Sequence, residues 1–177
     1  MEINITKQWI GAQADINFVC GYICSGKNRF CKQFKDTHEH IVVSDIVRSI
    51  VMHSTRAELQ DTKDLADQIV IALVEKIDRP LLQGKKVLVD GIRQASILWA
   101  LKQQYKDDFK LSAIWLECDL FVLKKRYANR AALKDAGVTF EEAFEKDLDL
   151  GLDEVEDLIK KGDEKMNSII IKHHIDL

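Results

Sequence analysis

Lys27 stands in a stretch whose residue types and spacing suit phosphate: Gly21-Tyr22-Ile23-Cys24-Ser25-Gly26-Lys27-Asn28. The run matches the pattern G-x-x-x-x-G-K-[ST] except at its last place, where Asn28 stands for Ser or Thr. In such a loop the backbone N–H groups point inward. Together with the N-terminus of the following helix they form an anion site. Lys27 would then reach the outer phosphates of a nucleotide. The alternative is a surface turn with a solvated lysine. The neighbours favour the anion site, because an apolar run, Ile16 to Cys20, precedes the loop and a helix start, Arg29 to Phe34, follows it.

Three further groups of polar residues stand at or near expected strand ends. Asp45 and Arg48 follow Ile41-Val42-Val43-Ser44, and Asp90 and Arg93 follow Val87-Leu88-Val89. Arg126 and Arg130 are four apart on an expected helix, so they share a face. In a parallel α/β sheet all these strand ends open on one edge. One cleft would hold a lysine, four arginines and two carboxylates. Phosphoryl transfer uses such a set: donors for several phosphates, an acid to manage metal or water, and arginines for the charge of the moving group. For Asp45 a helix cap is the competing reading. His38 and His40 lack a third ligand at a sensible spacing and read as solvated loop histidines.

The elements that must carry these residues follow from periodicity. Expected strands cover 16–20, 41–44, 87–89, 111–116 and 169–171. Leu65, Ile69, Leu73 and Ile77 recur every four residues on a helix from about Thr62 to Ile77, ended by Arg79-Pro80 and Gly84. Ile97, Leu98 and Leu101 mark a helix over 94–105, and Leu120, Val122 and Leu123 one over 119–130. Thr139 is a candidate cap before Glu141 and Glu142. Residues 52–60 read as a loop with a short capped turn. Strands alternating with helices predict a three-layer α/β fold with a parallel sheet.

At 177 residues one domain is expected, with residues 1–15 as an N-terminal extension. The extension could serve an oligomer contact such as a homodimer. A net charge of -3 gives no support to a nucleic-acid polymer or a membrane surface as partner. No apolar run reaches the roughly 18 residues of a membrane span, and no signal-peptide pattern opens the chain. Four cysteines without a C-x-x-C pair fit reduced thiols in a cytoplasmic protein.

Taken together, Gly21–Asn28, Ser44–Arg48, Thr55–Gln60, Val89–Arg93, Arg126 with Arg130, and Phe144–Gly151 with Glu154-Val155 resemble a known family. The chain is similar to P-loop kinases of the nucleoside monophosphate kinase group. It is most similar to the archaeal and phage deoxynucleoside monophosphate kinase-like proteins, which are related to dephospho-CoA kinase. The resemblance covers roughly Ile16 to Ile171. It implies a P-loop kinase fold over 16–177: a five-stranded parallel sheet with helices on both faces and a small helical lid near 126–150. It implies ATP and Mg2+ as cofactors and a small phosphate-bearing acceptor, a (deoxy)nucleoside monophosphate first.

The same resemblance implies the roles. Gly21, Cys24, Ser25, Gly26, Lys27 and Asn28 would bind the nucleotide, with Lys27 on the β- and γ-phosphates. Arg48 and Arg93 would grip the acceptor phosphate, with Arg56 and Asp90 nearby, and Asp45 would orient the acceptor. Arg126 and Arg130 would belong to the lid over the transferring group. Asn28 and Asp90 would stand near magnesium, Asp90 through water. Three departures mark this chain. Asn28 lacks the usual hydroxyl, Cys24 stands where glycine is frequent, and no helix follows the final strand. They keep open a dephospho-CoA kinase-like small-metabolite kinase, or a nucleotide-binding or sensing protein impaired in catalysis. A GTPase switch is disfavoured, since no N-K-x-D stretch is present.

Overall fold

β1 (Ile16–Cys20) is buried along its whole length. A strand reaches that state in the middle of a sheet covered on both faces. It pairs in parallel with β3 (Lys86–Asp90) on one side and β4 (Leu111–Glu117) on the other. β2 (His38–Val42) joins β3 and β5 (Met166–Lys172) joins β4, giving the order β2-β3-β1-β4-β5 with every pair parallel. The computed structural model describes residues 14–53, 62–134 and 137–172. The expected extension at 1–15 and Arg56 therefore fall almost wholly or wholly outside the described residues.

Seven helices connect and cover the strands among the described residues. They are α1 (Lys27–Lys32), α2 (Val43–His53), α3 (Thr62–Leu82), α4 (Ala95–Tyr105), α5 (Leu120–Lys134), α6 (Phe140–Asp149) and α7 (Leu152–Lys161). Strand residues alternate between two cores. Ile16, Phe18, Val87, Val89, Ala113 and Trp115 face α2, α3, α4 and α7. Val19, Leu88, Ile114 and Leu116 face Phe30, Cys31 and Phe34 around α1. Buried Asn17 satisfies itself across three strands. Its amide donates to the Val87 carbonyl at 3.2 Å, and its oxygen accepts from Ser112 Oγ at 2.5 Å.

Several boundaries differ from the periodic reading: β5 begins at Met166 and α5 runs to Lys134, and two further differences have a clear physical reason. β2 begins three residues and ends two residues earlier than expected, and Val43 already opens α2, so Asp45 and Arg48 sit in a helix rather than just past a strand. The apolar run of Ile41 to Val43 spans the junction, and periodicity cannot divide so short a run. α3 runs past Pro80 to Leu82. A proline in the last turn forfeits one backbone bond, and bonds from Gln83 and Lys85 to the Pro80 carbonyl close the turn beyond it.

Candidate active site

Register brings the carboxyl ends of the strands level. Val19 and Val42 both pair with Asp90, and Cys20 pairs with Trp115. The 21–26 loop leaves β1 at this edge, where β1 stands between strands reached by opposite crossovers. Ligands of open α/β sheets bind there.

The loop's backbone follows its glycines. Gly26 takes φ 93°, the left-handed conformation open to glycine, and places Lys27 at the start of α1. At Gly21 a Cβ would lie 2.5 Å from Ser25 Oγ and 3.1 Å from the Leu116 carbonyl, so no side chain fits. Cys24 has φ 62°, the one non-glycine residue with positive φ among those described. That conformation accounts for the frequency of glycine at this place in similar loops. Lys27 Nζ donates to the carbonyls of Gly21 at 2.8 Å and Tyr22 at 3.0 Å, with Ser25 Oγ at 3.4 Å. Burial lowers its pKa, opposed by the charges of Asp90 and Asp147.

The loop is also held from outside. Tyr22 donates its hydroxyl to Glu156 of α7 at 2.7 Å, and its ring packs edge-on against Trp115 at 5.2 Å. Burial and the Glu156 carboxylate push the Tyr22 hydroxyl's pKa up. Ile23 donates its backbone N–H to Asp147 Oδ2 at 2.9 Å. Arg126 Nη1 donates to the Cys24 carbonyl at 3.1 Å. A small apolar cluster of Leu123, Tyr127, Phe140 and Ala143, with Ile23 and Cys24 against it, packs the α5–α6 pair on the loop.

The expected site residues divide. Lys27, Asp90, Arg93 and Arg126 come together around the loop. Arg93 lies two residues past Gly91, half-exposed, with Nη2 2.6 Å from Asp147 Oδ1. Asp90 is buried, and its Oδ2 lies 2.8 Å from His40 Nε2. Asp45 and Arg48 are both exposed on α2 and pair with each other at 3.2 Å. Arg130 is exposed on α5, and Asn28 is exposed in the first turn of α1.

Both histidines depart from the loop reading, because both belong to β2. His38 is buried and His40 is half-buried. Cys31, His40 and Asp90 place one potential ligand atom each within 4.8 Å of one another. The His40 contact already occupies Asp90 Oδ2, and burial holds the Cys31 thiol well above its usual pKa. All four cysteines are free.

Asp147 is the principal residue that motif reading misses. It is fully buried. Its signal in the sequence is faint: Phe140, Ala143 and Asp147 fall at i, i+3 and i+7, which places a carboxylate on the buried face of α6.

A family model described as AAA domain, AAA_18, matches residues 18–146. No curated protein sequence matches the chain. Among solved structures, an unliganded sugar kinase from Janibacter sp. HTCC2649 is similar over 89% of this chain and 84% of its own, at 14% identity and a TM-score of 0.57. With the sheet order and the loop, the likeness establishes the P-loop kinase α/β fold.

Proposed function

Because the chain belongs to the AAA_18 family of AAA domains, we propose that it is an ATP-dependent phosphotransferase acting on a small phosphate-bearing acceptor, a (deoxy)nucleoside monophosphate first. The observation that carries the reading is the pair of cations on one wall. Lys27 opens α1 at the end of the loop after β1, and Arg93 lies past the end of adjacent β3. One cation suits the donor phosphates and the other a second phosphate. Arg93 is paired with Asp147 yet half-exposed, so its outward N–H groups suit a phosphate on the acceptor better than a lone hydroxyl.

The chain's own residues do the following. Loop amides and the head of α1 receive the donor's phosphates, and Lys27 exchanges its bonds to the Gly21 and Tyr22 carbonyls for phosphate oxygens. Arg93 keeps the acceptor phosphate beside them. Arg126, anchored on the loop, supplies positive charge near the transferring group. A magnesium ion held here would keep most of its waters. Asn28 offers one amide oxygen, and the Asp90 carboxylate, already bonded to His40, would act through water. When bound, the ion would neutralise charge on the phosphates.

The test is ADP release with Mg-ATP over a panel of nucleoside and deoxynucleoside monophosphates, dephospho-CoA, and unphosphorylated sugars. Turnover of a monophosphate, lost in Lys27→Met, is the expected result. Protein that binds ATP yet turns over no member of the panel would refute the proposal and favour a nucleotide sensor. Turnover of a sugar, indifferent to Arg93→Ala, would replace the acceptor class.

A further inference from the structure

Asp147 presents a puzzle of charge. It is a fully buried carboxylate beside a loop shaped to hold anions, close enough to Lys27 to pull on its pKa. Left alone it would repel the phosphates the loop receives. A buried ion pair is weak support for stability, since apolar replacements of similar volume often serve as well. The rest of the α6 face, Phe140 and Ala143, is apolar, so a leucine here would suit the packing better.

Its two oxygens face different halves of the site. Oδ2 accepts from the Ile23 N–H within the loop, and Oδ1 lies 2.6 Å from Arg93 Nη2 past the end of β3. One carboxylate thus fixes the distance between the loop and Arg93. Arg93 meets Asp147 Oδ1 through Nη2, and its half-exposed guanidinium carries five N–H donors in all, more than one carboxylate oxygen can take, which leaves donors for an incoming anion.

We propose that Asp147 is a positioning residue for the two-substrate site: it holds Arg93 in register with the phosphate loop, so that acceptor and donor phosphates are bound at a fixed separation. The inference rests on the reading of Arg93 as the acceptor's cation. Misplacement of one reactant by about an ångström is enough to slow a group transfer on the order of 10²-fold.

Asp147→Asn makes the cleanest test. Its side chain keeps the shape but has a single acceptor oxygen. If that oxygen serves Ile23, the amide NH2 faces Arg93 and the guanidinium is released. Two readouts keep this proposal separable from the proposed reaction. The first needs no turnover: the Arg93 guanidinium resonances, recorded by NMR on the full chain, with ADP affinity by calorimetry. The variant should shift the Arg93 signals and speed their exchange, while ADP affinity stays within about twofold because the loop bond survives.

The second readout is steady-state kinetics with whichever monophosphate the panel identifies. The acceptor KM should rise about tenfold or more, the cost of one charge-assisted bond, with the ATP KM little changed. Asp147→Glu should recover part of the loss. Unchanged Arg93 signals would overturn the proposal, whatever the activity. So would a lower Tm with both KM values moving together, which describes a merely structural carboxylate. Tighter ADP binding in Asp147→Asn would overturn it too, showing that the carboxylate competes with phosphate. If no acceptor is turned over, the NMR and calorimetric results still decide.

Discussion

His38 shows what a single buried polar ring does to this protein's dependence on pH. It opens β2 at the sheet edge, its Nδ1 is 2.7 Å from Thr37 Oγ1, and its Nε2 is buried with no hydrogen-bond partner among the described residues. The ring meets Phe34 edge-on at 5.8 Å. Burial, reinforced by the Lys86 charge, lowers its pKa from 6.5 to about 4. Between these values the unfolded chain takes up a proton that the folded one refuses. The contribution of His38 is therefore complete above pH 6.5 and is lost as pH falls toward 4. By linkage the loss is on the order of 2–3 kcal/mol. Denaturant unfolding at pH 7 and pH 4.5 checks it: His38→Phe should flatten the decline by that amount. An equal decline in the variant would show that other groups carry it.

At the scale of elements, the site depends on α6 starting in the right place. Thr139 Oγ1 accepts from the Glu142 N–H at 3.2 Å, and Glu142 Oε2 accepts from the Thr139 N–H at 3.0 Å, a closed capping box. Thr139→Ala should cost about 1 kcal/mol. It should be seen as faster amide exchange at Glu142 and Ala143, and Thr139→Ser should keep the protection. No change in exchange would mean that packing of Phe140 alone sets the helix start. This cap was legible in the sequence, as were β1 to the residue and the loop with Lys27. Each is a local pattern with its own chemistry. The reach of α2 was not, because Ile41–Val43 is equally apolar as strand or helix. Asp147 was hidden for another reason. It lies in an acidic run with Glu145 and Asp149, and which acid turns inward depends on a tertiary contact 124 residues away. Asp45 and Arg48 show the converse. A motif-like spacing became an exposed ion pair, worth little by itself.

For the molecule as a whole, a parallel sheet in the order β2-β3-β1-β4-β5 brings the loop after β1 and the end of β3 to one edge. Lys27 now bonds two carbonyls of its own loop, and Arg126 and Asp147 tie that loop to the α5–α6 pair. A nucleotide that binds the loop of the folded chain alone should therefore stabilise loop, α5–α6 pair and sheet edge together. At about 100 times its Kd, ADP with magnesium should add roughly 2.7 kcal/mol. For a chain of this size that is about 5–10 °C in Tm. Lys27→Met should lose most of the shift, because the phosphates then face backbone amides alone. Arg48→Ala should keep all of it, since that side chain is exposed and paired away from the loop. If Lys27→Met shifts as far as the unaltered chain, the nucleotide binds elsewhere, and the strand-end cleft cannot be the place where donor and acceptor phosphates meet.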